Sequence, residues 1–205
     1  LKLSENVNFQ KLDINQKTWS KAKEYIAGGN MLFSKRPDVF LPGKWPSYFT
    51  KANGCTIQAL DGKKYTDVSI MGIGTNILGY SNSRIDKAVH QRLKKGNMST
   101  LNCKEEVLLA EKLIKLHPWS DQVRFARTGG EANAIAIRIA RAHTKKNKVA
   151  FCGYHGWHDW YLATNLRSKN NLNEHLLPGL KTGGVHKNLK DTIYPFRYND
   201  FNGLK

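Results

Sequence analysis

The stretch from Gln122 to Cys152 restricts the possible folds more than any other part of the chain. Gln122-Val-Arg-Phe-Ala126 alternates in polarity over the length of a strand and is broken by Thr128-Gly129-Gly130. Glu131 to His143 then carries Ala, Ile and Arg at helical spacing, and Val149-Ala-Phe-Cys152 is fully apolar. Strand, glycine turn, helix and apolar strand in that order predict a βαβ-type unit. A strand, crossover helix and strand of this kind place the two strands parallel. The expected class is α/β, with a mainly parallel sheet and helices on its faces. At 205 residues the chain has room for one large domain or two small ones.

The flanking segments add local elements. Residues 16–27 read as a short helix stopped by Gly28-Gly29. From Met31 to Asn53 the text is rich in Pro and aromatic residues, which predicts an extended segment pinned by rings. Cys55 to Leu60 and Lys64 to Ser69 read as a hairpin, with Asp61-Gly62 suited to a type I′ turn. Ser83 and Asp86 form a capping-box pattern ahead of Ile85, Val89 and Leu93. Val107, Leu108, Leu113, Ile114 and Leu116 stripe a second helix that ends at His117-Pro118. From Asn170 onward the sequence is polar and predicts a long surface excursion.

Charge and composition narrow the partners. Lys and Arg number 33 against 16 Asp and Glu, a net charge of +17. The basic residues are dispersed in runs no longer than two, and no zinc-finger spacing, RNP-like strand or Arg-rich arm occurs, so a nucleic-acid partner is disfavoured. An anionic substrate and cofactor, or acidic residues on a missing part of the chain, account for the excess equally well. No apolar run approaches the roughly 18 residues that a membrane span needs. The first residues resemble neither a signal nor a transit peptide, and the absence of an initiator Met raises the expectation of a processed chain or an excerpt. Cys55, Cys103 and Cys152 are scattered, which predicts a reduced, cytoplasmic protein with buried thiols.

Two motifs carry candidate chemistry. Thr128-Gly129-Gly130 lies where a strand hands over to a helix, and there unpaired amides and the helix dipole favour an anion. A plain Thr N-cap with a Thr128/Glu131 capping box explains the same residues, and both readings stay open. No Walker A pattern occurs, and Gly72-x-Gly74-x4-Gly79 has the wrong third spacing for a dinucleotide site. Gly153-Tyr-His-Gly-Trp-His-Asp-Trp160 follows the apolar strand at its carboxyl end, where open α/β sheets bind ligands, and its rings suit a planar cofactor. His155, His158 and Asp159 have poor spacing for a metal, and an aromatic turn packed over the sheet is the plain alternative.

Together these pieces resemble the class III aminotransferases, fold-type-I enzymes that use pyridoxal 5′-phosphate (PLP), and within them the glutamate-1-semialdehyde 2,1-aminomutase branch. The motifs are Gly28-Gly29, Asp61-Gly62-Lys63-Lys64-Tyr65-Thr66-Asp67, Leu78-Gly79-Tyr80, Val123-Arg124-Phe125 to Glu131-Ala132, Ala136 to Arg141, and Gly153-Tyr154-His155-Gly156. The resemblance spans most of residues 25 to 165. It implies the PLP-transferase (aspartate-aminotransferase-like) fold. Residues 1–80 would belong to a small domain, and 81–205 to the first part of a PLP-binding large domain. It further implies a small amino, keto or amino-aldehyde substrate and a homodimer with active sites at the interface.

By that resemblance Thr128, Gly129 and Gly130 match the family's Ser-Gly-Thr phosphate loop. Tyr154 matches the ring that stacks on the cofactor, with His155 beside it. On the substrate side, Arg36, or Lys35 next to it, falls where the branch carries a carboxylate-binding Arg, and Ile73 where it tends to carry Trp. Gly130 departs from the usual Thr. The family's cofactor-bearing Lys and its pyridinium-pairing Asp lie in the second half of proteins about twice this length, so no catalytic residue is assigned within residues 1–205. The expectation is the N-terminal half of such an enzyme, inactive by itself. The alternatives are a non-catalytic anion-binding α/β module and, less favoured, a basic nucleic-acid-associated domain.

Overall fold

The computed structural model describes residues 13–69, 71–175 and 179–205. The first twelve residues of the expected N-terminal segment, and residues 176–178 of the expected surface excursion, lie outside them. The chain divides into two compact units, residues 1–101 and 102–205.

In the first unit, helix α1 (Ile14–Tyr25) starts at Asp13, whose carboxylate accepts from the Gln16 amide at 3.0 Å. It ends before Gly28 and Gly29, both at positive φ (74° and 80°). Gly29 is obligatory, because a Cβ there would lie 2.3 Å from the buried Trp19 ring. The Trp19 indole donates to Asp38 (2.8 Å), one residue into the single-turn helix α2 (Pro37–Phe40). Phe40 stacks on Trp45 at 4.7 Å, as a ring-pinned segment requires. The end of that segment is not merely extended, however. Phe49–Asn53 forms strand β1, paired antiparallel with β2 (Thr56–Ala59), which pairs with β3 (Lys64–Thr66).

The β2–β3 turn is not type I′. Gly62 has φ 83°, but Asp61 is not among the positive-φ residues. Gly62 N donates to Ala59 O (3.0 Å) and Ala59 N to Lys63 O (2.9 Å). That is the three-residue loop of a type I turn followed by a left-handed glycine. It needs positive φ only at Gly62, so Asp61 avoids the steric cost of that conformation.

Beyond β3 the chain is tied back to the sheet. Gly54 and Tyr80 exchange backbone hydrogen bonds at 2.9 and 2.8 Å. The Tyr80 hydroxyl donates to Asp67 Oδ2 at 2.6 Å, while Ser69 donates to Asp67 Oδ1 from its amide and its hydroxyl. Between these anchors Met71, Gly72, Ile73 and Gly74 all have positive φ (42°, 70°, 64° and 73°). For β-branched Ile73 this is a strained conformation. Helix α3 (Ser83–Leu93) is capped by Asn82, whose side chain accepts from the Arg84 and Ile85 amides. Ser83 is thus the first helical residue rather than the expected cap.

The second unit contains α4 (Lys104–Leu116), α5 (Gly129–Thr144), β4 (Val149–Phe151), α6 (Asp159–Leu162), β5 (Ile193–Pro195) and α7 (Phe201–Leu204). Strands β4 and β5 are parallel, Val149 opposite Ile193 and Phe151 opposite Pro195. The parallel sheet is therefore present, but the expected strand at 122–126 is not. That stretch pairs with no strand among the described residues, and an alternating pattern without a partner ladder has nothing to make it one.

The core of this unit is Phe151, Trp160, Tyr161, Ala163, Leu172, Val185 and Ile193, with Ala134 and Ile137 of α5 packed against it. Leu172, Val185 and Ile193 belong to the segment expected to be a surface excursion. Leu172 and Tyr161 are completely buried, so the excursion instead closes the core under β4. The expected burial of all three thiols also fails: Cys55 is exposed, and Cys103 and Cys152 are half-buried. Among the described residues no helix is long and apolar enough to cross a membrane.

The Asp67–Tyr80 bond gives a pH-dependent stability. Hydrogen bonds from Ser69 and Tyr80 hold the Asp67 carboxyl below its usual range, against the opposing effect of burial. Burial and the Asp67 bond push the Tyr80 hydroxyl up to about 12. The Asp67 contribution is present above its unfolded value near 3.8 and fades as pH falls through the lowered folded value. That of Tyr80 is present below 10 and fades as pH rises toward about 12. Tyr80→Phe should cost about 1 kcal/mol at neutral pH and lessen the loss of stability above pH 10. Denaturant melts at pH 7 and pH 11 measure both.

Candidate functional site

Helix α5 begins with a complete capping box. Thr128 Oγ accepts from the Glu131 amide (3.2 Å), and Glu131 Oε2 accepts from the amides of Arg127 and Thr128 (2.9 and 3.3 Å). The Ala132 amide reaches Thr128 O at 3.0 Å. The two readings of this turn are therefore compatible. The cap consumes the amides on either side of the glycines and leaves those of Gly129 and Gly130 without a partner among the described residues. The Thr128 hydroxyl accepts in the cap and keeps its own proton to donate. Sixteen residues of helix stand behind this end, so its dipole adds to the preference for an anion.

The loop after β4 lies directly on this first turn. Gly156 has φ 101°, and a Cβ on it would sit 2.9 Å from Gly130 Cα. Asn133 donates from Nδ2 to the His155 carbonyl at 3.3 Å, a second tie between helix and loop. Behind the loop, the Gly153 amide donates to His175 Nδ1 at 3.1 Å. The Tyr161 hydroxyl lies 3.4 Å from the Gly153 and His175 carbonyls. The His155 ring turns inward: its Nε2 meets the Cys152 carbonyl at 2.7 Å, which fixes the proton on that nitrogen, and it packs on Phe151, Trp160 and Tyr161. Tyr154 is 37% exposed, edge-on to Trp157 and Tyr161 at 6.3 and 5.8 Å. Partial burial raises its hydroxyl pKa, so the ring is neutral and available to stack.

Thr128, Gly129, Gly130, Tyr154 and His155 thus lie at one helix end and the loop seated on it. Arg36 and Ile73 belong to the first unit. Arg36 is paired with Asp38 at 3.0 Å and lies over the Phe33 ring, and Ile73 is exposed on the strained turn. Sequence reasoning missed two supports. Asn133 reads as one more polar helix residue, and His175 sits in a polar stretch without any pattern. A cleft of about 290 Å³ elsewhere in this unit is bordered by Glu174, His175, Arg197 and Asp200. Its guanidinium is already paired with Glu174, Nη2 to Oε1 at 2.6 Å.

Comparison with known proteins gives this geometry its setting. Residues 42–191 match the family model described as Aminotransferase class-III. The chain belongs to the class-III aminotransferase family. It is 34% identical over 196 residues to the 3-aminobutyryl-CoA aminotransferase of Cloacimonas acidaminovorans, covering 95% of this chain and 43% of that protein. It is 31% identical over 189 residues to the glutamate-1-semialdehyde 2,1-aminomutase of Sulfurisphaera tokodaii, covering 91% and 43%. A PLP form of the FumI protein of Sphingopyxis sp. MTA144 superposes with a TM-score of 0.75 at 26% identity, over 93% of this chain and 42% of that one. The fold is that of the PLP-dependent transaminases, and the family's cofactor is PLP. The chain spans less than half the length of these relatives.

The class-III chain's own structure fits that cofactor's phosphate. Two unpaired amides and a hydroxyl converge at the positive end of α5, and a Cβ at Gly129 would meet nothing within 4 Å. Gly130 is different, because a side chain there would collide with His158 (Cδ2 2.7 Å, Nε2 2.9 Å). The usual Thr would need the exposed His158 ring to swing aside.

The Gly153 anchor is acid-sensitive. Burial lowers the His175 pKa, the nearby Glu174 charge opposes this, and His155 adds to the lowering. Neutral His175 keeps the Nδ1 lone pair that accepts from Gly153, and protonation removes it. The contribution is present above the unfolded value near 6.5 and is lost as pH falls through the lowered folded value. His175→Asn, which offers Oδ1 as acceptor, should flatten the slope of stability between pH 7 and pH 5. Melts of both proteins across that range give the comparison.

Proposed function

We propose that this chain provides the cofactor-phosphate site and the ring-stacking wall of a PLP-dependent enzyme. The reaction class is amino-group transfer: transamination, or 2,1-migration, on a small amino, keto or amino-aldehyde compound. The observation that carries this reading is the pair of free amides at Gly129 and Gly130, under a loop that presents Tyr154. PLP bound there supplies an electron sink for negative charge developing on the substrate carbon. Thr128, Gly129 and Gly130 hold its phosphate, Tyr154 lies against its ring, and His155 holds the loop through the Cys152 carbonyl. The relatives' names span an acyl-CoA aminotransferase and an aminomutase, which supports the reaction class rather than one substrate.

Two further parts of the reading concern the first unit and the assembly. A substrate carboxylate would meet Arg36 or Lys35, with Ile73 as apolar wall. Arg36 would have to exchange Asp38 for the substrate, whereas Lys35 is exposed and has no ion pair among the described residues. In the working enzyme the apolar stripes of α3 and α4 would be covered, by the remainder of a longer chain or by the second copy of a homodimer. Val89, Val107, Leu108 and Leu116 are each more than half exposed here, an unusual amount of apolar surface for a soluble chain.

Substitutions at Gly129 test the anion site without disturbing the fold. The space around it is open, so Gly129→Ala should retain PLP, while Gly129→Asp puts a carboxylate at the anion position and should abolish retention. Absorbance of the gel-filtered enzymes reads the outcome, and stoichiometric PLP in the Asp variant would exclude a phosphate site at α5. Tyr154→Phe should bind PLP nearly as the parent does. Tyr154→Ala should weaken it by about 0.5–1.5 kcal/mol for the lost ring contact, plus lost burial. Equal affinity for the parent and the Ala variant would leave Tyr154 as packing alone.

A further inference from the structure

We infer that His158 is a phosphate ligand of the α5 site, its Nε2–H taking the place of the side chain that position 130 lacks. This rests on the cofactor reading above and extends it to a residue outside the phosphate-loop match. A Cβ built on Gly130 would lie 2.7 Å from His158 Cδ2 and 2.9 Å from Nε2. The imidazole therefore fills the volume into which a side chain at the second residue of α5 would project, and it brings a nitrogen there. In the family's Ser-Gly-Thr loop that volume belongs to a Thr hydroxyl. Here the donor would come from the opposite wall.

The backbone of His158 is held at this point, while its ring is exposed and not used. His158 is the N-cap of α6, and its carbonyl accepts from the Tyr161 and Leu162 amides at 2.9 and 3.1 Å. The Gly156–Gly130 contact sets how close the loop backbone stands to α5. Neither ring nitrogen has a hydrogen-bond partner among the described residues. It lies over the first turn of α5, whose Gly129 and Gly130 amides are donors without a partner among the described residues. With its proton on Nε2, the neutral imidazole adds a third donor toward an anion with several oxygens. Gly130 and His158 therefore share one volume, since a side chain at 130 would need the imidazole to move.

The test uses the PLP-loaded enzyme and three variants: His158→Ala, His158→Gln, whose side-chain amide can reach the Nε2 position, and the double change Gly130→Thr with His158→Ala. PLP release is followed by absorbance after dilution, binding of unphosphorylated pyridoxal is measured separately, and the 31P shift of the bound phosphate is recorded. His158→Ala should release PLP about 10- to 100-fold faster, as expected for one hydrogen bond to a charged acceptor. It should move the 31P signal and leave pyridoxal affinity unchanged. His158→Gln should recover most of the loss, and the double variant should hold PLP better than either single change. Release at the parent rate, or equal weakening of PLP and pyridoxal, would make His158 a packing residue and overturn the proposal while the cofactor reading stands. A parent protein that holds neither PLP nor inorganic phosphate would overturn both.

Discussion

Gly156 and Gly130 meet backbone to backbone, with 2.9 Å between the place of a Gly156 Cβ and Gly130 Cα. Everything proposed for the second unit follows from that approach. It brings the loop after β4 onto the positive end of α5, so that a ring-bearing segment and a set of free amides share one location. Neither partner chooses the distance alone. Phe151 fixes the end of β4 within the aromatic cluster, His155 ties the loop to the Cys152 carbonyl, and His175 holds the Gly153 amide. Ala134 and Ile137 seat α5 on the same core. The site is thus an edge of the core rather than an addition to it. Losses in the buried cluster should therefore loosen the site as well as the fold.

Local patterns in the sequence were sufficient where local physics decides the outcome. Helix α5, its capping box, strand β4, both amphipathic helices and the hairpin could be read from spacing, because caps, glycines and periodicity act within a few residues. Prediction failed where a distant partner decides. Residues 122–126 alternate as a strand should, yet they lack a ladder to join. Leu172, Val185 and Ile193 sit in polar text, yet they close the core because β5 returns beside β4. The turn at Asp61-Gly62 took the commoner dipeptide rule and missed that a single left-handed residue suffices. Gly130 was legible as a departure from a family pattern, but the ring standing where its side chain would project was not. That ring, His158, lies twenty-eight positions away, and only the fold brings the two together.

In the proposed reading the phosphate grip and the core beneath it serve any substrate, and selectivity falls to Arg36, Lys35 and Ile73. The environment of Arg36 limits how it can act. Burial would raise the Asp38 pKa, but hydrogen bonds from Arg36 and Trp19, together with the Arg36 and Lys23 charges, hold it below the usual range. Asp38 is therefore ionised throughout the neutral range, and no modest change of pH frees the guanidinium. Only a competing anion could do so, and it would have to replace an ion pair whose acceptor is also anchored by the buried Trp19. Such an exchange favours a substrate carboxylate able to offer two oxygens in the plane of the guanidinium, because a single contact would not match what Arg36 gives up. Lys35 carries no such requirement and would accept a wider range of anions. The two candidates therefore imply different selectivities: a strict one for planar carboxylates through Arg36, and a permissive one through Lys35.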